Sequence, residues 1–385
     1  MKTLSDICEV YSGFALKEFN DLNEGIPVIK IGNIMTDGTL ALEECQYTSE
    51  IVNEKYYSKK GDIYVALSGA TTGKIGILES DERHVINQRV GVIRRKDDKV
   101  PQQFIKYFLM RQTDRIMQEA SGCAQPNISP KQIAQYEVPR LSKTEMYEIS
   151  TILDMLSNVI TQRKDEIQKL EALIKARFVE LFGDLMENPL GWPVMTIADV
   201  STFLKSGLSR KLSDDDIGLP VIRSGNIQDG QFIFDDVKYW YIDDPQGANT
   251  KDYILNDGDV LVNFINSSSQ IGKTAIYRDT GRDCIYTTNI FRMKLADNCN
   301  EYYYNWFAMS DYYYRHLQSI IQPAVNQASF TTVNFLKLPI PLPPKEKQGE
   351  FADFVKQVDK SKIVVQKALD EARLLFDSLM QEYFG

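Results

Sequence analysis

Hydrophobic and polar positions divide this chain into two kinds of segment. Short runs that alternate or stay apolar, "GDIYVALSG", "RVGVIRRK", "GDVLVNFIN" and "NIFRMKL", are bounded by Gly, Asn and Asp turns and read as β-strands. "VPQQFIKYFLMRQTDRIMQEASG" and "NEYYYNWFAMSDYYYRHLQSI" each read as a helix. The Tyr and Trp cluster of the latter reads as a bulky packing face in preference to a base-stacking platform. Two longer segments keep apolar residues three and four apart. The first, from Ser142 to Phe182, carries Ile149, Leu153, Leu156, Ile160, Ile167, Leu170, Ile174 and Leu181, with a gap at Arg163. The second carries Phe351, Val355, Val358, Val365, Leu369, Ala372, Phe376, Leu379 and Tyr383, with a gap at Lys362. Two such stripes in one chain predict a coiled coil between them, antiparallel as the more economical choice.

The strand-rich segments also match each other. "GIPVIKIGNIMTDGTL" aligns with "GLPVIRSGNIQDGQFI", "KKGDIYVALSGATTGKIGIL" with "NDGDVLVNFINSSSQIGKTAIY", and more loosely "VINQRVGVIRRK" with "IYTTNIFRMKLA". "CAQPNIS" stands opposite "AVNQASF", and Phe182-Gly183 opposite Phe384-Gly385. The chain is therefore two copies of one unit, a globular module followed by a long helix. The predicted fold is α+β: two pseudo-repeated mixed α/β domains, 1–141 and 190–343, separated by two long helices, 142–189 with its hinge and 344–385. Ser142 and Glu145 have capping-box spacing at the first helix start. Gly183, Pro189 and Pro193 end that helix and prevent its resumption.

Composition narrows the chemistry. At 385 residues and 43% hydrophobic the chain is long enough for two or more globular domains, and no apolar run approaches a membrane span. Five scattered cysteines without a CxxC fit a reducing cytoplasm. Two histidines, His84 and His316, starve metal-site and His-based catalytic readings, and both read as structural or surface residues. No Pro-Asp pair opens a nuclease motif, and the only Pro-Pro lies in "PLPPK", at a helix start. The run Asp214-Asp215-Asp216 reads as a solvated loop. The net charge of −9 divides as −1 over residues 1–140, −4 over 190–341 and −4 over the helical remainder, so neither module binds a polyanion through net charge alone.

"INSSSQIGKTAIY" ends in the Gly-Lys-Thr of a phosphate-binding loop, but Ser267 stands where the first glycine belongs and a strand follows. "LSGATTGKIG" repeats the same near-miss, with Ser68 in place of glycine. Both read as a duplicated turn between two strands. A P-loop-like NTPase built on Gly272-Lys273-Thr274 and a coiled-coil scaffold that binds protein without DNA are the competing functions.

The "GNI" of each module, "KGDIYVALSGATTGKIG" with its echo, "INQRVGVI", "AQPNIS", the helix approach "PIPLPPKEKQ" and the hinge "LFGDLMENPLGWP" together resemble the specificity subunit of type I restriction–modification enzymes. The ordered set covers essentially the whole chain; "VPRLSKTEM" and "TTNIFRMKL" depart from it. The resemblance implies that each module is a target recognition domain reading one half of a split double-stranded DNA site. It implies that the helices act as spacer and dock two methyltransferase subunits, and that restriction subunits join through these. S-adenosylmethionine, ATP and Mg would then reside on the partners, and this chain would itself be non-catalytic. Polar residues on strand-end loops suit base edges and phosphates. The candidates are Ser68, Thr71, Thr72, Lys74, Asn87, Gln88, Arg89, Gln125 and Asn127 in the first module. In the second they are Arg223, Asn226, Ser267, Ser268, Gln270, Lys273, Asn289, Asn326 and Gln327. Lys74 and Lys273 are expected on phosphates.

Overall fold

The computed structural model describes residues 2–120, 126–323 and 327–385. These form two bodies: the chain up to Asp165 together with Gln366–Gly385, and Glu166–Val365.

In the first body β1 (Lys2–Thr3) and the helical turn α1 (Leu4–Ile7) lead into β2 (Cys8–Ser12). There follow β3 (Ile26–Ile29), β4 (Gln46–Thr48), β5 (Ile63–Ala66), β6 (Ile75–Ile77), β7 (Val85–Ile86) and β8 (Val90–Arg95). Helices α2 (Gln102–Arg111), α3 (Thr113–Ala120) and α4 (Pro130–Ile133) and strand β9 (Glu137–Val138) precede the long helix α5 (Lys143–Phe182). An antiparallel sheet in the order β2-β8-β5-β6 lies beside a three-stranded one, β4-β3-β7, whose β3–β7 pair is parallel. Strand β5 is buried at every position, which is why its sequence is an unbroken apolar run.

The second body repeats this plan. It contains β10 (Val194–Thr196), β11 (Ser201–Ser206), β12 (Leu219–Ile222), the hairpin β13 (Ile227–Gln228) and β14 (Gln231–Phe232), then β15 (Lys238–Trp240), β16 (Val260–Asn263) and β17 (Ile265–Asn266). Next come β18 (Thr274–Ile276), β19 (Ile285–Tyr286), β20 (Ile290–Leu295), α6 (Glu301–Phe307) and α7 (Asp311–Gln318). β21 (Gln322–Pro323), β22 (Ala328–Ser329), α8 (Thr332–Leu336) and β23 (Pro339–Pro341) lead to the second long helix, α9 (Lys345–Phe384). Sheet orders β11-β20-β16-β18 and β15-β12-β19 match the first body strand for strand.

One expectation is corrected in both modules. The segment expected as a single helix is two: α2 and α3 break at Gln112, and α6 and α7 are separated by three residues, after which the Ser310 hydroxyl caps the Tyr313 amide at 3.2 Å. The aromatic cluster packs inward, with Tyr303, Tyr304, Phe307 and Tyr313 all buried.

The long helices take part in both cores. In the first body Met146, Ile149 and Leu153 of α5 share a core with Met380 and Phe384 of α9, and the Phe384 ring lies 5.1 Å from Phe104 of α2. In the second, Ile174, Phe178, Leu181 and Phe182 of α5 meet Phe351, Val355 and Val358 of α9. There Phe182 lies 5.5 Å from Phe351 and Glu171 2.8 Å from Lys362, so the two helices run antiparallel in this body. Lys362, the gap in the stripe, is thus an ion-paired position, the kind of polar insertion that fixes register. Of the remaining stripe residues Val365 and Leu369 are buried, while Leu156, Ile160, Ile167, Leu170, Phe376 and Leu379 are half-buried. The Ser142–Glu145 capping box is formed: Glu145 accepts the Ser142 amide at 2.7 Å and donates its own amide to the Ser142 hydroxyl at 3.2 Å. At the other end Gly183 takes φ +73°, and the Trp192 indole donates to the Phe182 carbonyl at 2.9 Å.

Candidate nucleic-acid interface

The duplicated turn is a strand connection in each module. In the first it joins β5 to β6, in the second β16 to β18, and both pairs are antiparallel. Gly73 at φ +85° and Gly272 at φ +80° reverse the chain; their amides donate to the Ala66 and Asn263 carbonyls at 2.9 and 2.7 Å. A nucleotide loop is not built here. Thr274 begins a strand instead of a helix, and its hydroxyl is buried and donates to the Asn305 side chain at 2.9 Å, turned away from solvent.

Three segments converge on each turn. In the first module the Leu67 amide donates to the Arg89 carbonyl at 2.9 Å, and Ser68 bridges to Asn127. In the second, the Phe264 amide donates to the Asn289 carbonyl at 3.1 Å, and β17 pairs with β22 through Asn266 and Ala328. Most of the sequence candidates are therefore drawn together in space. Gln88, Arg89 and Asn127 are exposed, and Ser68, Thr71 and Lys74 half-buried. The Ser68 and Thr71 hydroxyls are covered yet have no hydrogen-bond partner among the described residues. Ser267, Ser268 and Gln327 are exposed, while Gln270, Lys273 and Asn289 are half-buried. Gln125 and Asn326 lie outside the described residues.

Three candidates have polar atoms committed inside the fold. The Thr72 hydroxyl is buried and donates to the Gly69 carbonyl at 2.7 Å, holding the turn. Asn87 is buried, and its carboxamide oxygen accepts the Arg89 amide at 3.2 Å. Asn226 is buried and saturated: it accepts the Arg223 amide at 2.8 Å and donates to the Ile233 and Asp235 carbonyls at 2.9 and 2.8 Å. Asn33 does the same for Lys30 and Ala41, so the asparagine of each "GNI" staples a loop. Arg223 remains half-buried at the rim, paired with Asp236 at 2.7 Å.

Sequence reasoning also missed positions beside the turn. In the second module a polar groove of about 370 Å³ is lined by Ser224, Gly225, Gln228, Asp229, Asn266, Gln270 and Lys273. A Cβ on Gly225, or on Gly32 in the first module, would meet nothing within 4 Å. The fold does not need a glycine there, yet both copies keep one. The repeated "GN" was the available signal. Just before β5 and β16, Asp62 and Asp259, the "GD" of each copy, are buried and pair with arginine. Arg94 donates to Asp62 at 2.7 and 2.6 Å, and Arg292 to Asp259 at 2.6 Å. Burial works against the Arg94 charge, but the hydrogen bond and charge of Asp62 outweigh it and hold the guanidinium above its ordinary pKa. Other candidates take structural places. His84 is buried with Nδ1 2.9 Å from the Glu82 carbonyl, and the His316 ring lies tilted against Tyr312, with centroids 4.5 Å apart. Asp214 and Asp216 pair with Lys238 and Arg282, both at 2.7 Å. No helix among the described residues is long and apolar enough to cross a membrane.

Fold and turns define a tandem-duplicated α+β protein with paired long helices and a matching polar loop cluster on each copy. The chain belongs to the family described as "Type I restriction modification DNA specificity domain", whose model matches twice, over residues 1–172 and 189–372. The type I restriction enzyme MjaX specificity subunit of Methanocaldococcus jannaschii is 28% identical over 52% of this chain, and the match spans about half (47%) of that relative's length. The EcoKI specificity subunit of Escherichia coli K12 is 19% identical over 98% of this chain and 86% of its own. The crystal structure of the type I restriction–modification S subunit from M. genitalium shares the fold, with a TM-score of 0.61 at 15% identity, covering 100% of this chain and 95% of that one.

Proposed function

We propose that this chain is the sequence-reading, non-catalytic subunit of a type I restriction–modification enzyme. Each module reads one half of a bipartite duplex target. The long helices set the unread gap and dock methyltransferase subunits, through which restriction subunits join. The observation that carries this reading is the duplicated turn: the same strand connection, with Lys74 or Lys273 after a positive-φ glycine, surrounded in each module by Asn, Gln, Ser and Arg on converging loops. Such side chains read base edges and position phosphates. With a net charge of −9, strong binding is expected to need basic surfaces supplied by the methyltransferase subunits. S-adenosylmethionine, ATP and Mg are assigned to the partners, and the cytoplasm is the compartment.

Methylome sequencing of cells with and without this chain tests the proposal. The expected result is loss of one modified motif in two parts with an unread gap, carrying modified adenine. Lengthening α5 and α9 together by one heptad adds ~10 Å of helix, which is ~3 base pairs of duplex at ~3.4 Å each, so the gap should lengthen. A lost motif that is continuous, or a gap indifferent to the insertion, refutes the reading.

A further inference from the structure

The two modules carry the same turn with different electrostatics. Each has an Asp-Gly pair shortly after its buried asparagine, Asp37-Gly38 and Asp229-Gly230. In the first module Asp37 is occupied locally: it accepts the Thr39 amide at 3.0 Å and the Thr39 hydroxyl at 2.6 Å. In the second, Gln231 follows the glycine and offers no hydroxyl. There Asp229, at φ +46°, reaches across to Lys273 at 2.8 Å. The Asp229 side chain is 84% exposed and that of Lys273 18%, so the acid sits on the solvent side of the amine, at the polar groove. Arg223, next in the chain to Ser224 of the groove, is occupied by Asp236. By contrast Lys74 and Arg89 of the first module have no acidic partner among the described residues.

We infer that Asp229 is a competitor for DNA phosphate built into the second module, so that the two halves of the target are anchored unequally. The first module grips the backbone with free cations. The second must release Lys273 from Asp229 before it can take a phosphate, so it engages only where base contacts offset the broken pair. This makes Asp229 a specificity-determining residue: it lowers binding to unmatched duplex more than to matched duplex. The inference rests on the turns facing DNA.

The test uses the full chain and a fluorescently labelled duplex of random sequence, because phosphate contacts need no target. Anisotropy is followed over a salt series. Each phosphate contact contributes ~0.9 to the slope of log affinity against log salt, about a threefold change in affinity between ~50 and ~200 mM. Lys74→Ala should weaken binding and flatten the slope by about that amount, whereas Lys273→Ala should change little. Asp229→Asn should tighten binding and steepen the slope by the same step, and Asp229→Asn with Lys273→Ala should lose that gain. A gain that survives beside Lys273→Ala means that Asp229 acts through its charge alone, and the inference falls while the reading of the turns stands. An Asp229→Asn chain that binds no more tightly than the native one also overturns it. If Lys74→Ala and Arg89→Ala both leave binding unchanged, the turns do not face DNA, and the reading and the inference fall together.

Discussion

Arg292 lies in β20 and Asp259 immediately precedes β16, their side chains only 7% and 3% exposed. Changing Arg292 to Met leaves Asp259 with a single donor, the Asn256 amide at 2.8 Å, and an otherwise uncompensated buried charge. Such a break costs ~3–5 kcal/mol, whereas replacing both partners by uncharged groups is often nearly neutral. Arg292→Met with Asp259→Asn should therefore be more stable than Arg292→Met alone, since asparagine can keep accepting the Asn256 amide through its carboxamide oxygen. The repeat offers a third variant. In the first body Ile63 pairs with Ile93, so Asp62 meets Arg94 by register; in the second Val260 pairs with Met293, so Asp259 meets Lys294. The arginine has moved two residues along the strand, staying on one face while keeping the pair. Adding Lys294→Arg to Arg292→Met should then restore much of the loss. All three tryptophans, Trp192, Trp240 and Trp306, belong to the second body, so denaturant unfolding followed by their fluorescence reports on that body. A single variant as stable as the double, or a loss under ~1 kcal/mol, would refute the argument, because it would mean that the pair behaves like a surface salt bridge.

Further outcomes follow from other residues. The Arg210 hydrogen bond, helped by the amides of Gln246 and Ala248 and working against burial, holds Asp244 at about 2 against an ordinary 3.8. Its folded pKa is depressed, so its stabilisation is present above 3.8 and is lost as pH falls towards 2; Asp244→Asn should flatten this acid limb of the tryptophan signal. A Cβ on Gly207 would lie 2.0 Å from the Tyr286 carbonyl oxygen, and one on Gly13 2.3 Å from that of Ile86. Either alanine should cost ~1–3 kcal/mol in a thermal melt, whereas Gly225→Ala should melt as the native chain does and weaken DNA binding. Lys273→Ala should leave any ATP turnover of the preparation unchanged, as measured by phosphate release, because Thr274 faces the core.

Periodicity exposed what depends on local pattern: two helices with apolar stripes, a capping box at Ser142, and strands around the repeated turn. It could not expose which helix segments complete which core, because Phe178, Phe182 and Phe384 follow the three-four spacing as well as any exposed neighbour does. The aromatic segment of the second module is legible as helix, but its apolar pattern runs on through the break, and Ser310 has only the residue type of a cap. At the candidate interface the sequence located the loops better than their surfaces. Thr72, Asn87 and Asn226 have the chemistry of base readers, yet each spends it on backbone that loops leave unsatisfied. The lysines looked equivalent in sequence, and only the reach of Asp229 separates them. The buried Asp–arginine pairs were hidden because Arg94 and Arg292 do not align.

The division of the chain also sets a schedule for its folding. The first body takes Phe376, Leu379, Met380 and Phe384 from the last turns of α9 into its core, and the 200 residues Glu166–Val365 lie between its two parts. At ~5–20 residues per second of synthesis, the first module waits ~10–40 s for the segment that closes it, exposing part of an apolar core meanwhile. The module made first is the one completed last, and during that interval chaperones and proteases can act on it.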